Sequence, residues 1–293
     1  MQHLITTSDF TKEEILKIFD DAKIFLDMES SQVLKGKVIV NLFFENSTRT
    51  RSAFEMAAKR LGAQVISLDV GTSSTSKGET IFDTVMNINA MGPDAIVIRH
   101  SDCNFHRTLV DYVNCPIINA GAGKTAHPTQ ALLDLFTIRE HFNGEVEGKK
   151  VAIIGDVKSS RVAGSNKKLL PRFGIDVCFV APDCFKYEAD EFKQYNKISD
   201  VIDEVDVIMS LRTQLERHNE VYFQSLNEYA VDYCITKEIM QDRDIILLHP
   251  GPVNRNVDIS DEMLLEPRSK VLEQVRNGVA VRMAVLKKLV LKQ

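Results

Sequence analysis

The sequence predicts an α/β protein of two domains, each a mostly parallel sheet flanked by helices. Three observations carry that reading. The chain has 293 residues, about twice the length of a common domain, so each half can bury a core of its own. Short apolar runs alternate with stretches of helical periodicity, the pattern of a parallel sheet covered on both faces. After a polar stretch at 143–150 the alternation begins again.

Taken in order, Thr11 and Glu14 form a T-x-x-E capping pair ahead of Ile15, Leu16, Phe19, Ala22 and Phe25, so the chain opens on an amphipathic helix. Strands are expected at 38–44, 64–68, 95–99 and 117–119, with helices near 52–61, 79–91, 105–113 and 129–142. The second half offers strands at 151–155, 176–180, 206–210, 233–236 and 244–248, and helices near 162–173, 186–195 and 198–204. The final segment, 271–291, spaces Val271, Val275, Val279, Met283, Leu286 and Val290 as a helix that needs an apolar surface to cover.

Apolar residues make up 44% and charged residues 26%, an ordinary balance for a globular protein. Thirty-six Lys and Arg stand against 41 Asp and Glu, a net charge of −5. That balance argues against general binding of nucleic acid or a membrane surface, yet a few gathered cations can still hold a small anion. No run approaches a transmembrane span, and MQHLITTSDFTKEEILKIF lacks a signal peptide's basic start and apolar stretch, so a cytoplasmic protein is expected. Five cysteines, with no C-x-x-C, are expected as buried thiols, and seven scattered histidines without H-x-x-x-H predict no metal site.

The chemistry concentrates in a few segments. Ser47, Thr48, Arg49, Thr50 and Arg51 follow an apolar strand just where a helix begins. Helix N–H groups, the helix dipole and these side chains together suit a phosphate, although Ser47 or Thr48 could instead cap the helix beside solvated arginines. GAGKT at 121–125 ends like a phosphate loop but has Ile118 where that motif needs glycine, and IGDVKSSRVAGS lacks the companions of Gly155 that a dinucleotide loop requires. In SSTSKGET, 73–80, Ser73 and Lys77 could close on an anion, or the loop could be merely solvated. Arg99 ends a strand and His127 precedes a helix, both positions that face the ligand crevice of an open α/β sheet. In the second half Arg161 follows one strand, while Arg212, Gln214 and Arg217 follow another. Arginines at adjacent strand ends can grip a dicarboxylate, whereas Arg217 suits surface ion pairing equally well. Last, LLHPGPVNR places a Pro-Gly-Pro turn after a strand, presents backbone carbonyls, and makes Gly251–Pro252 a candidate cis peptide.

FFENSTRTRSAFEMAAKRLG, SKGET, VIRH, HPTQALLDLFTI, LRTQLER and LHPGPVNR, in that order and over nearly the whole chain, resemble the carbamoyltransferase superfamily. The K-G-E loop and the R-x-Q-x-E-R segment resemble its aspartate branch, and the H-C-L-P segment usual in the ornithine branch is replaced by His249, Pro250, Gly251 and Pro252. The resemblance implies transfer of a carbamoyl group from carbamoyl phosphate to L-aspartate in pyrimidine synthesis, without cofactor or metal. It implies that Ser47, Thr48, Arg49 and Thr50 cradle the phosphate, and that Thr50, Arg99 and His127 polarise the carbonyl. Gln130 and the carbonyls of Gly251 and Pro252 would hold the carbamoyl nitrogen, and Arg161, Arg212 and Gln214 the aspartate carboxylates. It further implies a carbamoyl-phosphate domain at 1–134, rejoined by a terminal helix at about 276–293, and an aspartate domain at 135–275, with the active site in the interdomain cleft. Subunits would form a homotrimer in which Ser73 and Lys77 reach a neighbour's site, with regulatory chains as further partners. Transfer to another amine, or binding without catalysis, are the competing readings.

Overall fold

A computed structural model describes residues 1–69, 79–188, 191–213, 223 and 225–291. It divides into two compact units, one of Met1–Phe136 with Arg276–Gln293 and one of Thr137–Val275. Ser73, Lys77, Gln214 and Arg217 lie outside the described residues.

The first unit holds helix α1 (Lys12–Leu26), then β1 (Val38–Phe43), α2 (Thr48–Arg60), β2 (Gln64–Asp69), α3 (Ile81–Ala90), β3 (Ala95–His100), α4 (Phe105–Leu109) and β4 (Ile117–Ala122). Its strands form a wholly parallel sheet in the order β2-β1-β3-β4. Nearly every residue of β1, β3 and β4 is buried, which is why these strands read as continuous apolar runs. Val40, Leu42, Ile96 and Ile98 pack on one face with Val85, Phe105 and Leu109. Helix α5 (Pro128–His141) begins in this unit and ends in the second.

In the second unit β5 (Lys150–Ile154), α6 (Arg161–Leu169), β6 (Asp176–Val180), β7 (Gln194–Tyr195), β8 (Val207–Ser210), α7 (Leu226–Tyr233), α8 (Lys237–Met240), β9 (Ile246–Leu248) and α9 (Asp261–Leu264) follow in order. The sheet is again parallel, in the order β7-β6-β5-β8-β9. Helix α10 (Val271–Leu291) starts here and continues in the first unit.

Several expectations are corrected. No strand spans 233–236: Tyr233 ends α7, and only an isolated bridge joins Ile235 to Ile259. The expected helices are not found: among the described residues of 186–195 the chain forms the short strand β7, and 198–204 forms two 3-10 turns. Along α10 the apolar stripe is incomplete, with Val275 51% exposed while Gln274 and Asn277 turn inward. Cys103 and Cys184 are half-buried, whereas Cys115, Cys178 and Cys234 are buried as expected. Burial pushes the Cys115 thiol up to about 12 and those of Cys178 and Cys234 to about 11. Among the described residues no helix is long and apolar enough to cross a membrane.

The Thr11–Glu14 capping box forms as expected. The Glu14 carboxylate also meets Lys288 of α10 at 2.6 Å. Burial pushes the Glu14 carboxyl up, but the Lys288 ammonium, the Thr11 N–H and the Gln2 amide outweigh it and hold it down at about 2. A depressed carboxyl contributes stability above its ordinary value of 4.5 and loses it as pH falls towards 2. Glu14→Gln is therefore expected to lower stability by about 1–2 kcal/mol at pH 7 in urea unfolding, a deficit that narrows at about pH 3. An equal deficit at both pH values would detach it from the carboxylate charge.

Candidate active site

In the first unit the chain leaves β1 for β2 on one side and returns through β3 on the other, so β1 and β3 flank a topological switch point. At such a point the connections diverge and leave a crevice at the carboxyl ends of the strands, where open α/β sheets take their ligands. Arg99 lies there, in register with Phe43 at the end of β1. The ladder to β4 shifts between Ile98 and His100, a bulge that re-aims the intervening side chain. Arg99 is largely buried, its Nε 3.3 Å from Glu45 Oε2 and its Nη1 donating to the Ala120 carbonyl at 3.4 Å.

After β1 the chain turns directly into α2, with Ser47 at the N-cap. The Ser47 side chain makes no cap hydrogen bond, which removes the reading in which it merely closes the helix. The first N–H groups of a helix have no partner within it, so the cap position leaves them for an anion. A pocket opens here, lined by Phe43, Asn46, Ser47, Thr48 and Arg51. Thr50 is buried and Arg49 exposed, and neither lines this pocket. Thus Ser47 and Thr48 meet with Arg51, while Arg49 is exposed in the first turn of α2.

His127 is buried and precedes Pro128, the first residue of α5. Its carbonyl accepts from the Gln130 and Ala131 N–H groups at 3.0 and 3.2 Å, which anchors the start of that helix. Gln130 Nε2 donates to Asp134 Oδ1 at 2.8 Å. An ionised carboxylate only accepts, so this bond orients the amide and leaves Oε1 as an acceptor for an N–H group of a ligand. Below it the buried Arg282 guanidinium donates to the Gly278 carbonyl at 2.9 Å and stacks 5.2 Å from the Phe54 ring. Burial lowers Arg282 to about 10, against the opposite pull of the Asp134 charge.

The second unit repeats the plan. β5 leads to β6 on one side, while β8 lies on the other, so β5 and β8 flank its own switch point. Arg161, buried, is the first residue of α6, and the Ser160 hydroxyl accepts from Ala163 N–H. A dipole's positive end and a guanidinium then coincide, which favours a carboxylate. Half-buried Arg212 follows β8 by two residues. Gly155, at φ +117°, directly follows β5 where a Cβ would meet the Tyr229 hydroxyl at 3.1 Å, so only glycine turns there without strain. Beside β8, β9 leads to His249, Pro250, Gly251 and Pro252, and the Gly251–Pro252 bond is cis.

Sequence reasoning missed Glu45, Asn46, Asp134 and Asp258, which hold or line these groups. Glu45 and Asn46 lie within FFENSTRTRSAFEMAAKRLG, but a carboxylate beside a phosphate site offers no local signal. Asp134 was visible as the partner of Gln130 at helical i,i+4 spacing.

Two profiles of one family match the chain: the aspartate/ornithine carbamoyltransferase carbamoyl-P binding domain over residues 2–140, and the Asp/Orn binding domain over residues 147–289. The chain is 74% identical over 291 residues to the aspartate carbamoyltransferase catalytic subunit of Aliarcobacter butzleri, with 99% of each chain covered. It is 60% identical, at the same coverage, to that of Campylobacter lari. Among solved structures it is similar to the catalytic subunit of M. jannaschii aspartate transcarbamoylase, with a TM-score of 0.89, 36% identity, and 100% and 99% of the two chains covered. It is also similar to aspartate transcarbamoylase from Trypanosoma cruzi in complex with carbamoyl phosphate and aspartate, with a TM-score of 0.90, 32% identity, and 98% and 96% covered.

Proposed function

The chain belongs to the aspartate/ornithine carbamoyltransferase family, and we infer from that premise that it is the aspartate-specific enzyme. It transfers the carbamoyl group of carbamoyl phosphate to the α-amino group of L-aspartate, giving N-carbamoyl-L-aspartate and phosphate. The observation that carries the residue assignment is the pair of switch points, one bordered by Ser47, Thr48 and Arg99, the other by Arg161 and Arg212. The first suits a phosphate and a carbonyl oxygen, the second a dicarboxylate.

In this reading the first unit binds carbamoyl phosphate and the second L-aspartate. Ser47, Thr48, Arg49 and Thr50 hold the phosphate. Arg99, His127 and Thr50 donate to the carbonyl oxygen and stabilise the charge that develops there. Gln130 Oε1 and the carbonyls of Gly251 and Pro252 accept from the carbamoyl nitrogen, and Arg161, Arg212 and Gln214 aim the acceptor by its carboxylates. The neutral amine attacks the carbonyl carbon, a C–N bond forms, the C–O bond to phosphate breaks, and the proton shed by the amine balances the departing phosphate. The chain's contribution is orientation and electrostatic stabilisation. The reading extends to pyrimidine synthesis in the cytoplasm, to a homotrimer, and to regulatory chains as partners of a catalytic subunit.

A steady-state assay with carbamoyl phosphate and either L-aspartate or L-ornithine tests the reaction: turnover is expected with aspartate, and turnover with ornithine alone would overturn the assignment. An ornithine ammonium calls for an acidic partner, whereas Arg212 calls for a carboxylate. For the shared site, mixing inactive Lys77→Ala chains with inactive Arg49→Ala chains is expected to restore activity, because some sites then combine an intact loop with an intact phosphate set. Verified mixed trimers that stay inactive would place Ser73 and Lys77 in their own subunit's site or outside catalysis.

A further inference from the structure

One carboxylate in the second unit binds both loops to which the acceptor and the carbamoyl nitrogen are assigned. Asp258 is 1% exposed, and its side chain lies 3.1 Å from that of His249. Its Oδ1 accepts from the Thr213 N–H at 3.1 Å, next to Arg212 on the loop after β8. Its Oδ2 accepts from the Asn254 N–H at 2.8 Å and lies 3.1 Å from His249 Nε2. The His249 ring faces the turn with its other nitrogen: Nδ1 meets the Gly251 N–H at 2.8 Å. A backbone N–H can only donate, so Nδ1 carries the lone pair, the ring proton sits on Nε2, and the bond to Asp258 runs from imidazole to carboxylate. The Asn254 side chain adds a second strap, donating from Nδ2 to the Thr213 carbonyl at 2.9 Å. The His249 N–H, in turn, is held by Gln274 Oε1 at 2.8 Å.

We propose that Asp258 is a positioning residue that builds the Arg212 loop and the Gly251–Pro252 turn as one piece, so that the grip on the acceptor carboxylate and the grip on the carbamoyl nitrogen are set together. The proposal rests on the assignment of Arg212, Gly251 and Pro252 to the two substrates. Its physical basis is that the donors round Asp258 fix what can stand there. Three N–H groups point at the two oxygens, and none of them can reverse its role: two are backbone, and His249 is locked by Gly251. An asparagine of the same shape must turn its NH2 towards at least one of them, which replaces a charge-assisted bond by two opposed donors. With its oxygen on the Oδ2 side it keeps two bonds and expels Thr213, so the Arg212 loop suffers first. His249→Gln attacks the same assembly from the turn, by disturbing the acceptor that holds Gly251.

The test uses the full chain and three measurements: KM for L-aspartate, kcat, and affinity for inorganic phosphate, which reports on the first unit. Asp258→Asn is expected to raise KM for L-aspartate and lower kcat by about tenfold or more each, with phosphate affinity unchanged. Asp258→Asn combined with His249→Gln is expected to be little worse than the more damaging single variant, since both cut one assembly. Should Asp258→Asn fail to fold, Asn254→Ala, which removes only the half-buried second strap, is expected to raise KM for L-aspartate about threefold to tenfold, again without change in phosphate affinity. Unchanged kinetics in a folded variant, an equal loss of phosphate affinity, or fully additive effects would overturn the proposal. Failure of the unmodified chain to use aspartate would instead overturn the functional assignment on which it rests.

Discussion

Arg99→Ala is expected to lower kcat by about 10² to 10³, the usual consequence of removing a preorganised donor from a developing oxyanion. The location of Arg99 supports the size. It stands at the switch point, in register with the end of β1, at a bulge, and with little exposure, so its guanidinium is held rather than sampled. A lysine in its place should not restore the rate, because one ammonium cannot meet Glu45, the Ala120 carbonyl and a substrate oxygen together. The ion pair with Glu45 adds a second component. Without Arg99 that carboxylate stays beside the site and repels a dianionic phosphate, so Glu45→Gln in the Arg99→Ala background should recover about tenfold in kcat/KM. The pair is mostly buried, so removing Arg99 alone leaves the Glu45 carboxylate without this ion-pair partner, and urea unfolding of both variants separates that loss of stability from the loss of rate. Single-turnover rates with carbamoyl phosphate and L-aspartate would decide the matter. An unchanged kcat removes Arg99 from the oxyanion site, and a further loss on adding Glu45→Gln would mean that the carboxylate assists rather than opposes binding.

The same region illustrates what a sequence discloses and what it withholds. Two parallel α/β sheets were legible because strands buried on both faces admit few polar residues, so 38–44, 95–99 and 151–155 stand out as mainly apolar runs. Short elements were not. At 186–204 neither period persists long enough to separate a 3-10 turn from a helix, and tertiary contacts decided the outcome, including the bond from the Tyr233 hydroxyl to the Asn196 carbonyl. At the site, cations and hydroxyls announced themselves by clustering near strand ends. The groups that orient them did not, since Glu45, Asp134 and Asp258 look like any surface carboxylate until the fold buries them against a donor. Asp258 and His249 lie nine positions apart, and no local pattern joins their side chains. Strand order, which creates the two switch points, is likewise a long-range property, and the linear alternation of elements leaves it open.

Arg49→Ala should reduce kcat/KM by roughly 2 to 5 kcal/mol of transition-state binding, and inorganic phosphate should weaken in parallel. Geometry at the start of α2 sets the two arginines apart. Each residue advances a helix by about 100°, so Arg49 and Arg51 project to nearly opposite sides and cannot serve one anion equally. Arg51 lines the pocket with Ser47 and Thr48, while Arg49 is exposed in the first turn of α2, whose leading N–H groups have no partner within the helix. An anion seated on those N–H groups lies along the helix axis, within reach of a long side chain in the first turn. Burial of that anion beneath Arg49 would desolvate both charges, and removal of the guanidinium would then leave phosphate charge uncompensated. Arg51→Ala is the comparison variant and should cost no more than about tenfold when the anion sits on the Arg49 side of the helix, away from the pocket wall that Arg51 forms. A loss at Arg51 larger than that at Arg49 would transfer the phosphate to the pocket face of the helix.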